Sequence, residues 1–189
     1  MKKILSIIIL GLIITSKCMA YEEANYEVVK KNEIYEIRKY SDRLAIETDM
    51  SNQGSSFRKL FNYISGNNRD NEEIKMTTPV TQVEKKGNMT MQFYLPSRFN
   101  KENTPVPSNP DIKILNIKEV YYAVIRYSGR ASDKNFIKHK SILENELKKD
   151  DMSILSAPMK ATYDGPFTLP MNRRNEAMFE INIKNKGEI

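Results

Sequence analysis

The sequence predicts an α+β domain, on three observations. A period of two runs through most of the chain from Tyr26 onward, four apolar residues recur at helical spacing from Phe57 to Ile64, and the order strand, strand, helix, strand, strand occurs twice. Strands with one buried face alternate apolar and polar side chains, and a helix on such a sheet needs a single apolar stripe.

In chain order, residues 34–40 and 44–50 read as consecutive strands joined by the turn residues Ser41 and Asp42. Phe57, Leu60, Phe61 and Ile64 then fall at i, i+3, i+4 and i+7 on one helical face, with Ser55 or Ser56 as the expected cap. Ser65, Gly66, Asn67 and Asn68 stop that helix, since Gly and Asn tolerate the left-handed conformation of a closing turn. A strand over 74–80 is expected to be an edge, bulged, or to end at Pro79, which cannot donate to a ladder. Met89, Met91, Phe93 and Leu95 alternate along the next strand, paired back across a turn at Gly87. The polar loop from Pro96 to Pro110 carries four prolines and reads as a connector between halves, with a cover over a site as the alternative. Strands over 112–117 and 120–127, a helix from an Asp133 cap to about Lys149, and strands over 160–163 and 177–183 complete the second half. Ser51-Asn52 and Ser128-Gly129 occupy equivalent places before the two helices.

The first twenty residues are of another kind. Lys2 and Lys3 precede a short apolar run ending near Thr15, and Cys18-Met19-Ala20 resembles a signal-peptidase site, so a signal peptide over 1–20 and a single domain over 21–189 are expected. The run is shorter than the roughly 20 residues of a membrane-spanning helix, so no stable anchor is expected once it is cut. Lys17 stands where a lipoprotein signal wants a small residue, which argues against lipid on Cys18. The product would be periplasmic or secreted and monomeric. It would lack cysteine, and with it disulfides, thiolate ligands and a thiol nucleophile. The formal charge of +6 falls to +3 without Lys2, Lys3 and Lys17, and the remaining charges are mixed in sign, so no nucleic-acid partner is expected.

Several segments carry a family resemblance. The stretch from Ser55 to Val80, with YEIRKY at 35–40, FYLP at 93–96, PVPSNP at 105–110, YSGRA at 127–131, APMKATYDGP at 157–166 and RRNE at 173–176, is similar in order to the SOUL family of haem-binding proteins. The resemblance spans roughly Tyr26 to Ile183. It implies a distorted antiparallel β-barrel flanked by two α-helices, and a haem or other tetrapyrrole site on an apolar surface near the first helix, with basic groups near the propionates. Carried over residue by residue, this gives Phe57, Leu60, Phe61 and Ile64 as one wall, Lys59 as a rim cation, and Phe167, Leu169 and Met171 in a second segment. Animal members have a lysine in the loop before RRNE. This chain has none, which leaves Arg173 and Arg174 as propionate partners, with an ion pair inside the fold, to Glu176 or Asp164, as their other role.

His139, the one histidine, shares a helical face with Phe136 and Leu143 and reads as a helix-edge residue with one satisfied nitrogen. Met76, Met91, Met159 and Met171 read as packing residues, and so do the strand tyrosines Tyr94, Tyr121, Tyr122 and Tyr163. The chain has no Gly-x-Ser-x-Gly elbow, no phosphate-binding glycine loop and no metal-ligand spacing, so no catalytic or metal residues are expected. The expected function is non-catalytic binding of haem, another tetrapyrrole or a planar hydrophobic small molecule, without a histidine ligand. A protein-interaction domain with a vestigial cleft is one alternative. The other is a small-molecule hydrolase using a pocket glutamate such as Glu36 or Glu180.

Overall fold

The computed structural model describes residues 21–50 and 52–183, so the expected signal peptide over 1–20 and Ser51 lie outside the described residues. The strands are β1 Glu22–Glu23, β2 Tyr26–Lys31, β3 Glu36–Tyr40, β4 Arg43–Asp49, β5 Thr77–Thr78, β6 Val80–Lys85, β7 Asn88–Tyr94, β8 Lys113–Ile117, β9 Val120–Tyr127, β10 Ser153–Ile154, β11 Met159–Thr162 and β12 Asn175–Asn182. Helix α1 spans Gln53–Ile64 and α2 spans Asp133–Lys149. A curled sheet runs β2-β3-β9-β12-β11-β6-β7-β4-β8, antiparallel throughout, with β10 added to β12 and a separate parallel pair β1-β5. It is the α+β domain that the sequence pattern predicts, curled into the distorted barrel with two helices that the family resemblance implies.

The two repeats are β3-β4-α1-β6-β7 and β8-β9-α2-β11-β12. Exchanging equivalent strands turns the path from β3 to β8 into its own reverse, so a pseudo-twofold axis passes between β6 and β11, which pair from Val80↔Thr162 to Val83↔Met159. Each half lends its first strand to the other. Strand β3 pairs with β9, and β8 pairs with β4, although β3 and β4 are joined by only two residues. Asp42 ties the crossing linkers together, accepting from Glu119 N at 2.7 Å and from Lys118 Nζ at 2.7 Å.

Alternation sorts the strand side chains into two layers. Leu60, Tyr63 and Ile64 of α1 pack with Leu44, Ile46, Met91 and Phe93, while Leu143 and Leu147 of α2 pack with Ile37, Ala123, Ile125, Ala177 and Phe179. On the opposite face Tyr40, Val83, Tyr122, Val124, Met159, Ala161 and Met178 fill the concavity of the sheet. The helices begin with other caps than expected. Asn52 accepts from Ser55 N at 2.8 Å and Ser132 accepts from Asn135 N at 3.3 Å, which places Ser55 and Ser56 inside α1 and Asp133 in the first turn of α2. Gly66, at φ +98°, closes α1 as expected, and Pro79 separates β5 from β6. The Pro96–Pro110 loop packs on the end of α1, where Pro105 O accepts from the buried Tyr63 hydroxyl at 2.7 Å. It joins the two halves.

Burial pushes the phenols of Tyr40 and Tyr63 up to about 12. Their folded values exceed the roughly 10 of a free tyrosine, so their contribution is complete below pH ~10 and is lost as pH rises through about 12. The urea midpoint is expected to hold up to pH ~10 and fall beyond it, and Tyr63→Phe should flatten part of that fall. A midpoint independent of pH across this range would contradict the assignment.

Candidate functional site

Helix α1 rests on β4 and β7, and α2 on β9 and β12. The two strands at the pseudo-axis, β6 and β11, lie between these pairs in the sheet. Over them opens a cleft of about 1170 Å³, larger than the roughly 300–1,000 Å³ of ordinary small-molecule sites. Val80, Gln82 and Thr162 form its floor, Phe57, Phe61 and Met76 one wall, and Arg130, Ala131 and Ser132, at the start of α2, the other. The loop from Tyr163 to Pro170, with Arg173, closes one end.

The α1 face divides. Its apolar stripe is about 100° wide, and burial of Tyr63 on one side of it turns Leu60 and Ile64 into the core, leaving Phe57 and Phe61 on the shoulder above the cleft. The rings of Phe57 and Phe61 stack at 5.9 Å with 14° between planes, and Phe57 meets Phe93 edge-on at 5.2 Å. Both are exposed, and together they give the cleft an aromatic shoulder. Leu60 and Ile64, expected in the site, are core residues instead.

The expected cations also separate. Lys59 points away from the cleft shoulder and pairs with Asp111 at 2.6 Å. Arg174 turns inward to Glu176 and Glu23, its guanidinium 3.7 Å from the Tyr163 ring centroid. Arg173 lines the cleft and donates to Thr168 O at 2.8 Å and to Pro166 O, which folds the loop onto itself. Phe167, 98% exposed, and Leu169 border the cleft. Met171, in the short 3-10 turn Pro170–Asn172, faces solvent and is not among the lining residues.

Arg130 and Gln82 are polar lining residues that the sequence reading did not place in the site. Arg130 follows Gly129, whose φ of +97° turns the chain into α2, and its exposed guanidinium has no ion-pair partner among the described residues. It lies within the YSGRA segment, where a lone arginine after a glycine was the available signal. Gln82 carried no signal, since one glutamine in a strand looks like any other.

Beneath the cleft loop lies a buried charge cluster. Glu176, fully buried, accepts from Arg38 at 2.9 Å, from Arg174 at 3.0 Å and from the Tyr163 hydroxyl at 2.7 Å. Burial disfavours both charged guanidiniums, but the Glu176 carboxylate, together with Tyr40 at Arg38 and with Tyr163 and Glu23 at Arg174, outweighs it and holds both firmly protonated. Burial, then the Glu176 charge, raises Tyr163 far above an ordinary phenol. Tyr163 therefore keeps its proton, which disqualifies it as a tyrosinate donor into the cleft. His139 lies outside the lining residues. Its Nδ1 is 2.8 Å from Asn135 O, and its ring stacks on Tyr127 with centroids 4.1 Å apart. Glu36 pairs with Lys31 and Arg38, and neither Glu36 nor Glu180 lines the cleft.

Residues 21–180 match the model of the SOUL heme-binding protein family. The chain belongs to the SOUL family. Among curated proteins, this SOUL chain is similar to mouse Heme-binding protein 2, at 28% identity over 173 residues, covering 80% of this chain and 82% of the relative. Two solved structures share the fold. One is the EcmrR C-terminal domain, at 14% identity and TM-score 0.56, covering 83% of this chain and 98% of that one. The other is a hydrolase encoded by lin2189 from Listeria innocua, at 8% identity and TM-score 0.59, covering 82% and 94%. At such identities the SOUL fold is shared and no activity follows.

Replacing Glu176 with Ala would remove the buried carboxylate from Arg38, which is itself buried, and from the partly buried Arg174, leaving each with one rim carboxylate, Glu36 and Glu23. The expected loss is about 3–5 kcal/mol in urea denaturation, with part of it recovered when Arg38 is replaced by Met in the same chain. A loss below ~1 kcal/mol would show that the cluster is not a structural lock.

Proposed function

We propose that this chain is an exported, monomeric, non-catalytic binding protein that takes haem or another tetrapyrrole into the cleft between its helices. The observation that carries the reading is a cleft walled by the stacked Phe57 and Phe61 in a chain of the SOUL heme-binding family. A flat macrocycle laid against these rings removes apolar area from water, the main source of affinity in such sites. Arg130 and Arg173 at the lip supply charge-assisted hydrogen bonds to the carboxylates. Arg130 is the better placed of the two, because Arg173 already spends donors on Thr168 and Pro166.

None of the residues lining the cleft is a histidine or cysteine, Met91 is packed in the core with Met76 partly buried against it, and the Tyr163 proton is committed to Glu176. The residues therefore fit haem as a planar, carboxylate-bearing guest held by its face and edges. Haem would bring its Soret absorption and its iron, and the protein would contribute shape, exclusion of water and charge. Export rests on the composition of residues 1–20.

Titrating residues 21–189 with hemin should give a saturable Soret shift, with Kd at or below tens of micromolar, about −6 to −7 kcal/mol. Phe57→Ala with Phe61→Ala should weaken it at least about tenfold, and Arg130→Ala several-fold, while His139→Ala leaves the spectrum unchanged. Absence of a saturable shift would sink the haem reading, and a large spectral change in His139→Ala would show an iron ligand at that histidine.

A further inference from the structure

The floor of the cleft holds a polar group that the fold itself leaves unused. Gln82 is 6% exposed and lines the cleft between Val80 and Thr162, and among the described residues its side-chain amide makes no hydrogen bond. Its neighbours across the strands offer it no partner. Lys160, opposite it on β11, reaches Asp133 at 2.9 Å, and the residue opposite it on β7 is the apolar Met91. The Gln82 amide is not sealed in the core either, so its donors and its acceptor face the open space of the cleft.

We propose that Gln82 is the specificity-determining residue of the cleft. It selects planar tetrapyrroles whose inner edge carries an amide-like donor and acceptor, the lactam ends of an open-chain tetrapyrrole, over those whose inner edge is hydrocarbon. The inference rests on the reading of the cleft as a tetrapyrrole site. Arg130, exposed at the start of α2, and Arg173, at the loop that closes one end, lie apart from Gln82 on the β6 floor, so on this reading a ligand held by its carboxylates at the arginines presents its opposite edge to the glutamine. In haem that edge carries only methyl and vinyl groups, which would strip water from the amide and return nothing. In an open-chain tetrapyrrole cleaved opposite the propionates, the same edge ends in lactam C=O and N–H groups, which pair with a primary amide in both directions. A site built to hydrogen-bond discriminates against a guest that lacks the partner far more sharply than an apolar site does.

The test titrates wild type, Gln82→Leu and Gln82→Met with hemin and with biliverdin, following absorbance, with thermal melts to confirm folding. Wild type should bind biliverdin about tenfold more tightly than hemin, and both variants should lose that preference through weaker biliverdin binding while hemin affinity holds or rises. A biliverdin-to-hemin ratio unchanged by either folded variant, or a wild-type preference for hemin, would overturn the role of Gln82. If hemin still binds in a Phe57- and Phe61-dependent way, the broader reading of the cleft survives that result. If neither pigment saturates, both readings fall together.

Discussion

The cleft exists because two helices cannot cover an eight-strand path built on a twofold axis. A helix is about 10 Å across and strands lie about 4.8 Å apart, so each helix shields roughly two strands. Here α1 takes β4 and β7, and α2 takes β9 and β12. The two strands at the axis are left without a helix, a slot on the order of 10 Å wide, while an aromatic ring and its contact layer need about 3.5–4 Å on each face. The exchange of first strands between the halves forces this arrangement. It puts β3 and β8 at the outer ends of the path and brings the last hairpins, β6-β7 and β11-β12, together at the centre.

The Glu176 cluster fixes that exchange. Arg38 lies on β3, the lent strand, while Glu176 lies on β12 and Tyr163 just beyond β11. One buried carboxylate therefore links the exchanged strand to the floor and to the loop that ends the cleft. A buried ion cluster need not add much net stability, because desolvation of each charge offsets much of the attraction. Removing the carboxylate is costly all the same, since the buried Arg38 keeps its charge with only Glu36 left to pair it. The same carboxylate keeps the Tyr163 hydroxyl out of the cleft's chemistry, so the fold and the character of the site depend on one residue.

The elements themselves were legible in the sequence. The period-two runs became strands, the stripe from Phe57 to Ile64 became α1, and the repeat became a pseudo-twofold axis. Strand pairing was not legible, because residues 36–40 and 43–49 look like a hairpin and only the tertiary exchange sends them to opposite halves. The α1 face was read as a single wall because periodicity gives a stripe and not its centre. Tyr63, an amphipathic residue that the apolar pattern passed over, shifts that centre and separates Leu60 and Ile64 from Phe57 and Phe61. Lysines and arginines could be found in the sequence but their partners only in part: Lys59 stood as a rim cation until Asp111 was seen beside it, while for Arg174 the ion pair with the nearby Glu176 was one of the two roles the sequence offered. Gln82 and Arg130 are single residues whose meaning comes only from what surrounds them.

The central claim is that the guest sits over β6 and β11, and the methionines report on it directly. Met76 and Met91 line the cleft, whereas Met152 packs under α2 and Met178 lies on the far face of the sheet. With methyl-labelled methionine, addition of hemin should broaden and shift the Met76 and Met91 signals through the paramagnetic iron and leave Met152 and Met178 nearly unmoved. Saturable binding that instead broadened Met152 or Met178, with Met76 and Met91 unchanged, would contradict the account.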